Sequence, residues 1–341
     1  MIKHILFVFT ALFLFNCSKN DDGPTTTPIT EQVAYLLYDE ATDGYSTYYK
    51  GQLTTLNAEN REFAAEDIAV DNGILYTGGY QKINGDWDIA LWKNGVLDPN
   101  TPVYTERCYV TAIAVNNGDV YIAGRRIYPD RIDAAYWLNN TYNALPKTVQ
   151  TSIANDIHVE NNLVSIAGYQ SASFGDTLAS AWENGSFYYI GSGEINKSIA
   201  YCTYNDGTNA LYGGYKTVDG KSAPSIWDKN GYIATYNLPD SKSGNISQIL
   251  KFQEDIYTLI EVTEFDGNTS NKSVELWKNG TFLEEVLPPS TENGNGFFLD
   301  VIDGNVCYAA NRQSILVFKS LDKTFSLPSA INGKWVFAIA K

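Results

Sequence analysis

The chain is 341 residues long, with 39 Asp and Glu against 24 Lys and Arg, a formal net charge of −15. A surface this acidic repels nucleic-acid backbones and anionic lipid headgroups, which excludes both as charge-driven partners. Aromatic residues make up 13% of the chain, with 24 Tyr, and 27 Gly accompany them; this mix suits an all-β fold with many turns.

Residues 1–16, MIKHILFVFTALFLFN, join a basic Lys3 to an apolar run, Ile5 to Phe15, broken only by Thr10. The run is too short to span a bilayer and has the form of a signal-peptide core. Leu14-Phe15-Asn16-Cys17 follows and resembles the lipobox of bacterial lipoproteins, although Asn16 stands where Gly or Ala is usual. The resemblance implies cleavage before Cys17 and a lipid on that cysteine, so the membrane becomes a partner through an N-terminal anchor. An ordinary secretion signal or an uncleaved anchor is the competing reading. Residues 17–32 are polar, with Pro, Thr and acidic side chains, and are expected to form a disordered linker. Lys19-Asn20-Asp21-Asp22 resembles the export signal of surface-exposed Bacteroidota lipoproteins, which implies an outer-membrane, cell-surface location.

From 33 to 341 the chain repeats. Trp92, Trp137, Trp182 and Trp227 are each 45 residues apart, Trp277 follows 50 later, Phe318 41 after that, and Tyr49 precedes Trp92 by 43. Gly79, Gly124, Gly168 and Gly214 keep the same beat. Each unit holds four strand candidates, a to d. Ile68/Val70, Ile113/Val115 and Ile157/Val159 alternate with smaller or polar residues, the period of a half-buried strand. Asn72-Gly73, Asn94-Gly95, Asn117-Gly118, Asn184-Gly185 and Asn279-Gly280 separate the runs and suit tight hairpins. A period in the forties made of short strands predicts one domain, 33–341: a seven-bladed β-propeller of four-stranded blades. A large aromatic at one slot in every unit reads as packing between adjacent sheets.

The ends fit a closed ring. The segment from Val33 to Asn57 supplies strands b, c and d without an a, while Trp335 to Lys341 reads as an a strand with nothing after it. Pairing the two removes exposed sheet edges.

In such a blade the b–c segments share one face with the d–a connections. Here they differ between units, whereas the a–b and c–d turns repeat, which marks the b–c face for binding. Candidate contact residues are Trp87, Arg125, Arg126, Tyr128, Arg131, Tyr169, Phe174, Tyr215 and Phe265, amphipathic side chains of the kind enriched at interfaces. Their alternative role is local packing. Asp67, Asp156 and Asp300 fall near the start of strand a, with His158 on the same strand face as Asp156, and converge on a channel mouth. They would hold a cation, act as an acid/base pair, or hydrogen-bond backbone amides and lock one blade to the next; the recurrence across blades favours the last.

No HExxH, GxSxG, P-loop or Cys/His metal spacing occurs, so no catalytic residue, metal or cofactor is expected. Cys108, Cys202 and Cys307 fall on strands of the third, fifth and seventh units and read as small buried apolar residues. Asp176-Thr177-Leu178 resembles the O-glycosylation site of exported Bacteroidota proteins. With their A-x-W-x-N-G and V-Y-x-A-G-Y cores, the repeats resemble uncharacterised Bacteroidota β-propeller lipoproteins. That resemblance implies a surface lipoprotein binding a glycan or protein without catalysis. An enzyme acting on polysaccharide through channel carboxylates, or a structural subunit of an outer-membrane assembly, is the alternative.

Overall fold

The computed structural model describes residues 29–172, 176–191, 197–267 and 269–341. The expectations for Cys17 and Phe174 lie outside the described residues.

The described chain is all-β apart from a four-residue helix, α1 (Ile29–Gln32), and a short 3-10 turn (Ser329–Ile331). The first unit is β1 (Ala34–Asp39), β2 (Gly44–Tyr49) and β3 (Gln52–Thr55). The second is β4 (Phe63–Asp71), β5 (Ile74–Ile83), β6 (Asp86–Lys93) and β7 (Val96–Leu97). The third is β8 (Arg107–Asn116), β9 (Asp119–Ile127), β10 (Ile132–Leu138) and β11 (Thr141–Ala144). The fourth is β12 (Thr151–Glu160), β13 (Leu163–Ser171), β14 (Thr177–Glu183) and β15 (Ser186–Tyr189). The fifth is β16 (Ser198–Asn205), β17 (Ala210–Val218), β18 (Lys221–Asp228) and β19 (Gly231–Thr235). The sixth is β20 (Lys242–Phe252), β21 (Asp255–Asp266), β22 (Thr269–Lys278) and β23 (Thr281–Ser290). The last is β24 (Asn295–Ile302), β25 (Asn305–Arg312), β26 (Ile315–Ser320) and β27 (Lys323–Thr324), and β28 (Trp335–Ala340) follows.

Within each unit consecutive strands pair antiparallel, and β28 pairs antiparallel with β1, from Ala34 opposite Ala340 to Tyr38 opposite Trp335. One parallel bridge, Ile132 to Thr151, joins the third unit to the fourth. The inner strands touch in succession: β28, β4, β8, β12, β16, β20, β24 and again β28. The arrangement is propeller-like.

The core lies between the sheets. Trp92 packs with Leu36, Leu56 and Ile68, Trp137 with Leu91 and Val110, and Trp182 with Ala112 and Ile157. Trp92, Trp137, Trp182 and Trp227 are fully enclosed, as the inter-sheet reading requires. Burial strands an indole N–H unless it finds an acceptor. Trp92 Nε1 donates to the Asn57 carbonyl at 2.8 Å, Trp137 Nε1 to Tyr104 Oη at 3.0 Å and Trp182 Nε1 to the Pro146 carbonyl at 2.8 Å.

The Asn-Gly turns take positive φ at both residues, 49° and 76° at Asn72-Gly73 and 47° and 79° at Asn184-Gly185. The turn Asn does more than bend. Asn184 N–H donates to the Val164 carbonyl and its Oδ1 accepts the Val164 N–H, both at 2.9 Å. Asn94 clamps Leu75, Asn139 clamps Val120 and Asn279 clamps Ile256 in the same two-point way.

Two local expectations change. Ile29–Gln32, placed in the disordered linker, forms α1. Ile29 packs on the core, Thr30 is buried, and its hydroxyl donates to the Ser326 carbonyl at 3.1 Å, so this end of the segment is anchored despite the polar composition of the rest. The variable b–c segments are shorter than expected. β5 runs to Ile83 and β6 begins at Asp86, leaving a two-residue turn, and Asp219-Gly220 is the whole turn between β17 and β18.

Candidate functional site

The inner strands share a departure from regular pairing. Register shifts occur at Ala65/Asp67 in β4, Val110/Ala112 in β8, Ala154/Asp156 in β12, Ala200/Cys202 in β16 and Ile246/Gln248 in β20, so one residue bulges from each. The bulged residues are Glu66, Thr111, Asn155, Tyr201 and Ser247. The glycine beat lies opposite: Gly79, Gly124, Gly168 and Gly214 pair with the residue just before the bulge. A Cβ at any of these four would come inside 3.0 Å of a backbone carbonyl across the pair. The inner strands enclose a cavity of about 960 Å³, and Glu66, Thr111, Asn155 and Tyr201 line it.

At the end where the inner strands begin, these bulges meet the residues that follow the glycines on the second strands. Burial raises the Glu66 carboxyl above its ordinary range, opposed by a hydrogen bond from Tyr80 and by the Arg125 guanidinium. The Tyr80 ring lies 5.1 Å from Tyr109, edge-on, and the Arg125 guanidinium lies 5.2 Å over the Tyr109 ring. Tyr201 is 38% exposed in the channel, 6.0 Å from Tyr215. Burial pushes its hydroxyl up to about 12, with Tyr215, Tyr169 and Glu261 close enough to add to the shift. Glu261 is also raised by burial, with Lys272 Nζ 4.0 Å away. The mouth is therefore a tyrosine-rich rim with the Arg125 guanidinium beside Glu66, and with Lys272 and Arg312 beside Glu261, both carboxylates being shielded from water.

No family model matches the chain, and no curated protein matches it. Among solved structures the chain is similar to a post-proline cleaving enzyme from Rickettsia typhi, at 9% identity and TM-score 0.46, covering 89% of this chain and 54% of that one. It is also similar to the dihydro-heme d1 dehydrogenase NirN, at 11% and 0.45, covering 89% and 66%. A third is the polysaccharide lyase Uly1, at 9% and 0.45, covering 85% and 88%. The chain thus spans less than two thirds of the length of several proteins it matches.

Of the residues expected on the binding face, Arg125, Tyr169 and Tyr215 come together at this rim. Trp87 does not join them as a free platform. It is half-buried in β6, edge-on to Tyr80 at 5.1 Å, with Lys82 Nζ 5.6 Å over its ring. Arg126, Tyr128 and Arg131 form a separate cluster on the third unit. The Arg126 guanidinium stands among the rings of Tyr104, Tyr128 and Tyr142 at 4.8–5.3 Å and pairs with Glu106. Arg131 lies 4.0 Å over Tyr128 and pairs with Asp133. Phe265 is 58% exposed near the end of β21, away from its neighbours in the expected list. Because the strands run on, Trp87, Arg125, Arg126, Tyr169, Tyr215 and Phe265 are strand residues rather than loop residues.

Asp67, Asp156 and Asp300 all line the cavity, with Asp156 near enough to add to the upward shift of Asp67, but hydrogen bonds within the scaffold occupy them. Asp67 accepts the N–H of Ile68 at 2.8 Å and that of Ile113, on the next unit, at 2.9 Å. Asp156 accepts from Ile157 at 2.8 Å and from Thr203, again on the next unit, at 2.7 Å. These are inter-sheet locks. Burial nonetheless pushes Asp67 up to about 7 and Asp156 up to about 6, against those hydrogen bonds. Asp300 does not occupy their place. It lies two residues before the end of β24, bonded to the Val301 N–H and paired with Lys341 at 3.0 Å. His158 stands towards that end, edge-on to Tyr204 at 5.3 Å, its pKa lowered by burial and partly restored by Asp300.

Among the described residues no group of three or more His, Cys, Asp or Glu is placed to hold a metal, and no helix is long and apolar enough to cross a membrane. Cys108, Cys202 and Cys307 are buried and free, as expected of small core residues, and burial pushes the Cys108 thiol up to about 12. The Thr177 hydroxyl of the expected glycosylation tripeptide is buried at the start of β14, which removes it as an acceptor for a sugar.

Glu66, Tyr80, Tyr109, Tyr201 and Glu261 were not visible as a site in the sequence. Their signal is positional: the residue after each beat glycine reads Tyr80, Arg125, Tyr169 and Tyr215 in successive units, so Arg125 is the one departure from a repeated tyrosine.

Proposed function

We propose that the chain is a seven-bladed propeller closed by its first and last strands, and that the channel mouth at Glu66, Arg125 and Tyr201 binds a glycan without catalysis. The observation that carries this reading is the rim itself. Tyrosines from several units gather with guanidinium and carboxylate groups beside a cavity that Glu66 and Tyr201 line, and this combination suits a ligand that is apolar on its ring faces and hydroxylated at its edges. In the same reading the protein is a lipoprotein held at the outer surface of the outer membrane by Cys17, supported by the signal-like run and lipobox-like residues before that cysteine. The polar segment that follows would hold the mouth away from the membrane.

A glycan array with the purified chain tests the binding claim. Tyr201→Ala and Tyr215→Ala should each weaken the glycan found by about tenfold or more while leaving the melting temperature near that of the parent. Binding that survives both changes puts the site elsewhere. Cys17→Ala should release the protein from membrane fractions and end incorporation of labelled palmitate; an unchanged distribution removes the anchor.

One observation favours a second reading, in which the mouth hydrolyses its glycan: burial raises both Glu66 and Glu261, as for carboxyl groups that keep a proton to donate. Release of reducing ends by the parent but not by Glu66→Gln would replace the binding reading with this one.

A further inference from the structure

The geometry points to a carboxylated sugar, a uronate-bearing glycan, as the ligand class, with Arg125 as the group that reads the carboxylate. The inference rests on the glycan reading above. The chain has six arginines, all within the described residues. Arg61, Arg107, Arg126 and Arg131 pair with carboxylates. Arg312 donates to the carbonyls of Pro288 and Lys272. The Arg125 guanidinium alone has no ion pair and no hydrogen bond among the described residues. It is half-buried, laid 5.2 Å over the Tyr109 ring, on the rim of the channel. Glu66 lies near enough for the guanidinium to oppose its upward shift, yet forms no ion pair with it.

A guanidinium held in this way is already partly desolvated and oriented, with its five N–H donors unused. Its planar fork matches a carboxylate bidentately. The ring beneath it limits the rotamers lost on binding, so less entropy opposes the contact. Tyr169 adjoins the guanidinium, and Tyr215 and Tyr201 continue the rim from it, so a sugar whose carboxylate sits on Arg125 would lie over hydroxyl-bearing rings. The net charge of −15 does not contradict an anionic ligand. At physiological salt the screening length is about 8 Å, so carboxylates across the molecule are screened, and the two near ones, Glu66 and Glu261, are carboxyls whose ionised form burial disfavours.

The test uses an array of uronate polysaccharides of several linkages, each beside its carboxyl-reduced, neutral counterpart, with the full chain as probe. At least one acidic member should bind, and its reduced form should bind tenfold or more weakly. Arg125→Gln should erase that preference, and Arg125→Lys should restore only part of it, since an ammonium cannot make the two-pronged contact. Retention of the preference by Arg125→Gln, equal binding of acidic and reduced forms, or binding of no acidic member overturns the inference. If neutral glycans still bind and depend on Tyr201 and Tyr215, the glycan reading stands and only the acid preference falls. If no glycan of either charge binds, both fall.

Discussion

Gly214 stands so close to the carbonyl of Ile199 that the peptide oxygen occupies the space a side chain would need. The cause is the bulge across the pair, at Ala200/Cys202, which tips the preceding carbonyl over the glycine. Gly214→Ala should therefore force the bulge apart and destabilise the protein by roughly 3 kcal/mol. Gly220, in the hairpin with φ +79° and open space around its Cα, is the control. Gly220→Ala should cost about 1 kcal/mol, from positive φ alone. Equal urea midpoints for the two variants would refute the close-approach account.

The Asn184 clamp on Val164 predicts an asymmetry between two substitutions. Asn184→Ala loses the Oδ1 acceptor and puts alanine at positive φ, a combined loss of roughly 2 kcal/mol. Asn184→Asp keeps the acceptor and tolerates the backbone, so it should stay within about 0.5 kcal/mol of the parent. Chemical denaturation separates the two.

Removal of residues 335–341 exposes the inner edge of β1, where Ala34, Tyr35 and Leu36 are fully buried. The truncated chain should aggregate or show a melting transition at least 10 °C lower, since an unpaired apolar edge templates association. A truncated protein that stays monomeric with the parent melting temperature would show that β28 is dispensable.

Stability should also depend on pH through Asp67 and Asp156. Their folded values are raised to about 7 and about 6, against 3.8 for the ordinary carboxyl. Between about pH 4 and pH 7 the folded chain then holds protons that the unfolded chain has released. The stability these groups add is complete below about pH 4 and is lost as pH rises through 6 and 7. His158 acts in the opposite sense, because its folded value is lowered and the unfolded chain gains a proton below about 6.5. A variant carrying Asp67→Asn and Asp156→Asn keeps His158, so the difference isolates the carboxyls. The urea midpoint of the parent should fall more than that of the variant between pH 4.5 and 7.5. Parallel profiles would assign the titration to other groups.

Much of the scaffold was legible in the sequence because it repeats. The tryptophan beat marked the inter-sheet core, the Asn-Gly pairs marked the hairpins, and Trp335 to Lys341 marked a strand that pairs with β1. The glycine beat was visible, but its reason was not, because a bulge is a relation between two strands and leaves no trace in either alone. The mouth was hidden for a related cause. Glu66, Tyr109, Tyr201 and Glu261 come from β4, β8, β16 and β21, and only the stacking of units brings them into one arc. Trp87 is not a loop residue, although its segment varies between units; β5 and β6 continue almost to the turn, and Trp87 lies against Tyr80 within the sheet.

The pairing of Tyr35 with Ile339 also sets a schedule for folding. Inner units can assemble from neighbouring residues as the chain emerges, but β1 waits for a partner some 300 residues downstream. Contacts of such sequence separation form late and slowly, after the entropy of the intervening chain has been reduced by local folding. Until then the chain carries an open seam at its first sheet, and the arrival of β28 is what seals it. A product stalled anywhere upstream of β28 would keep the seam open, which makes the presence of β28 the condition for a chain to leave the pool that chaperones and proteases survey.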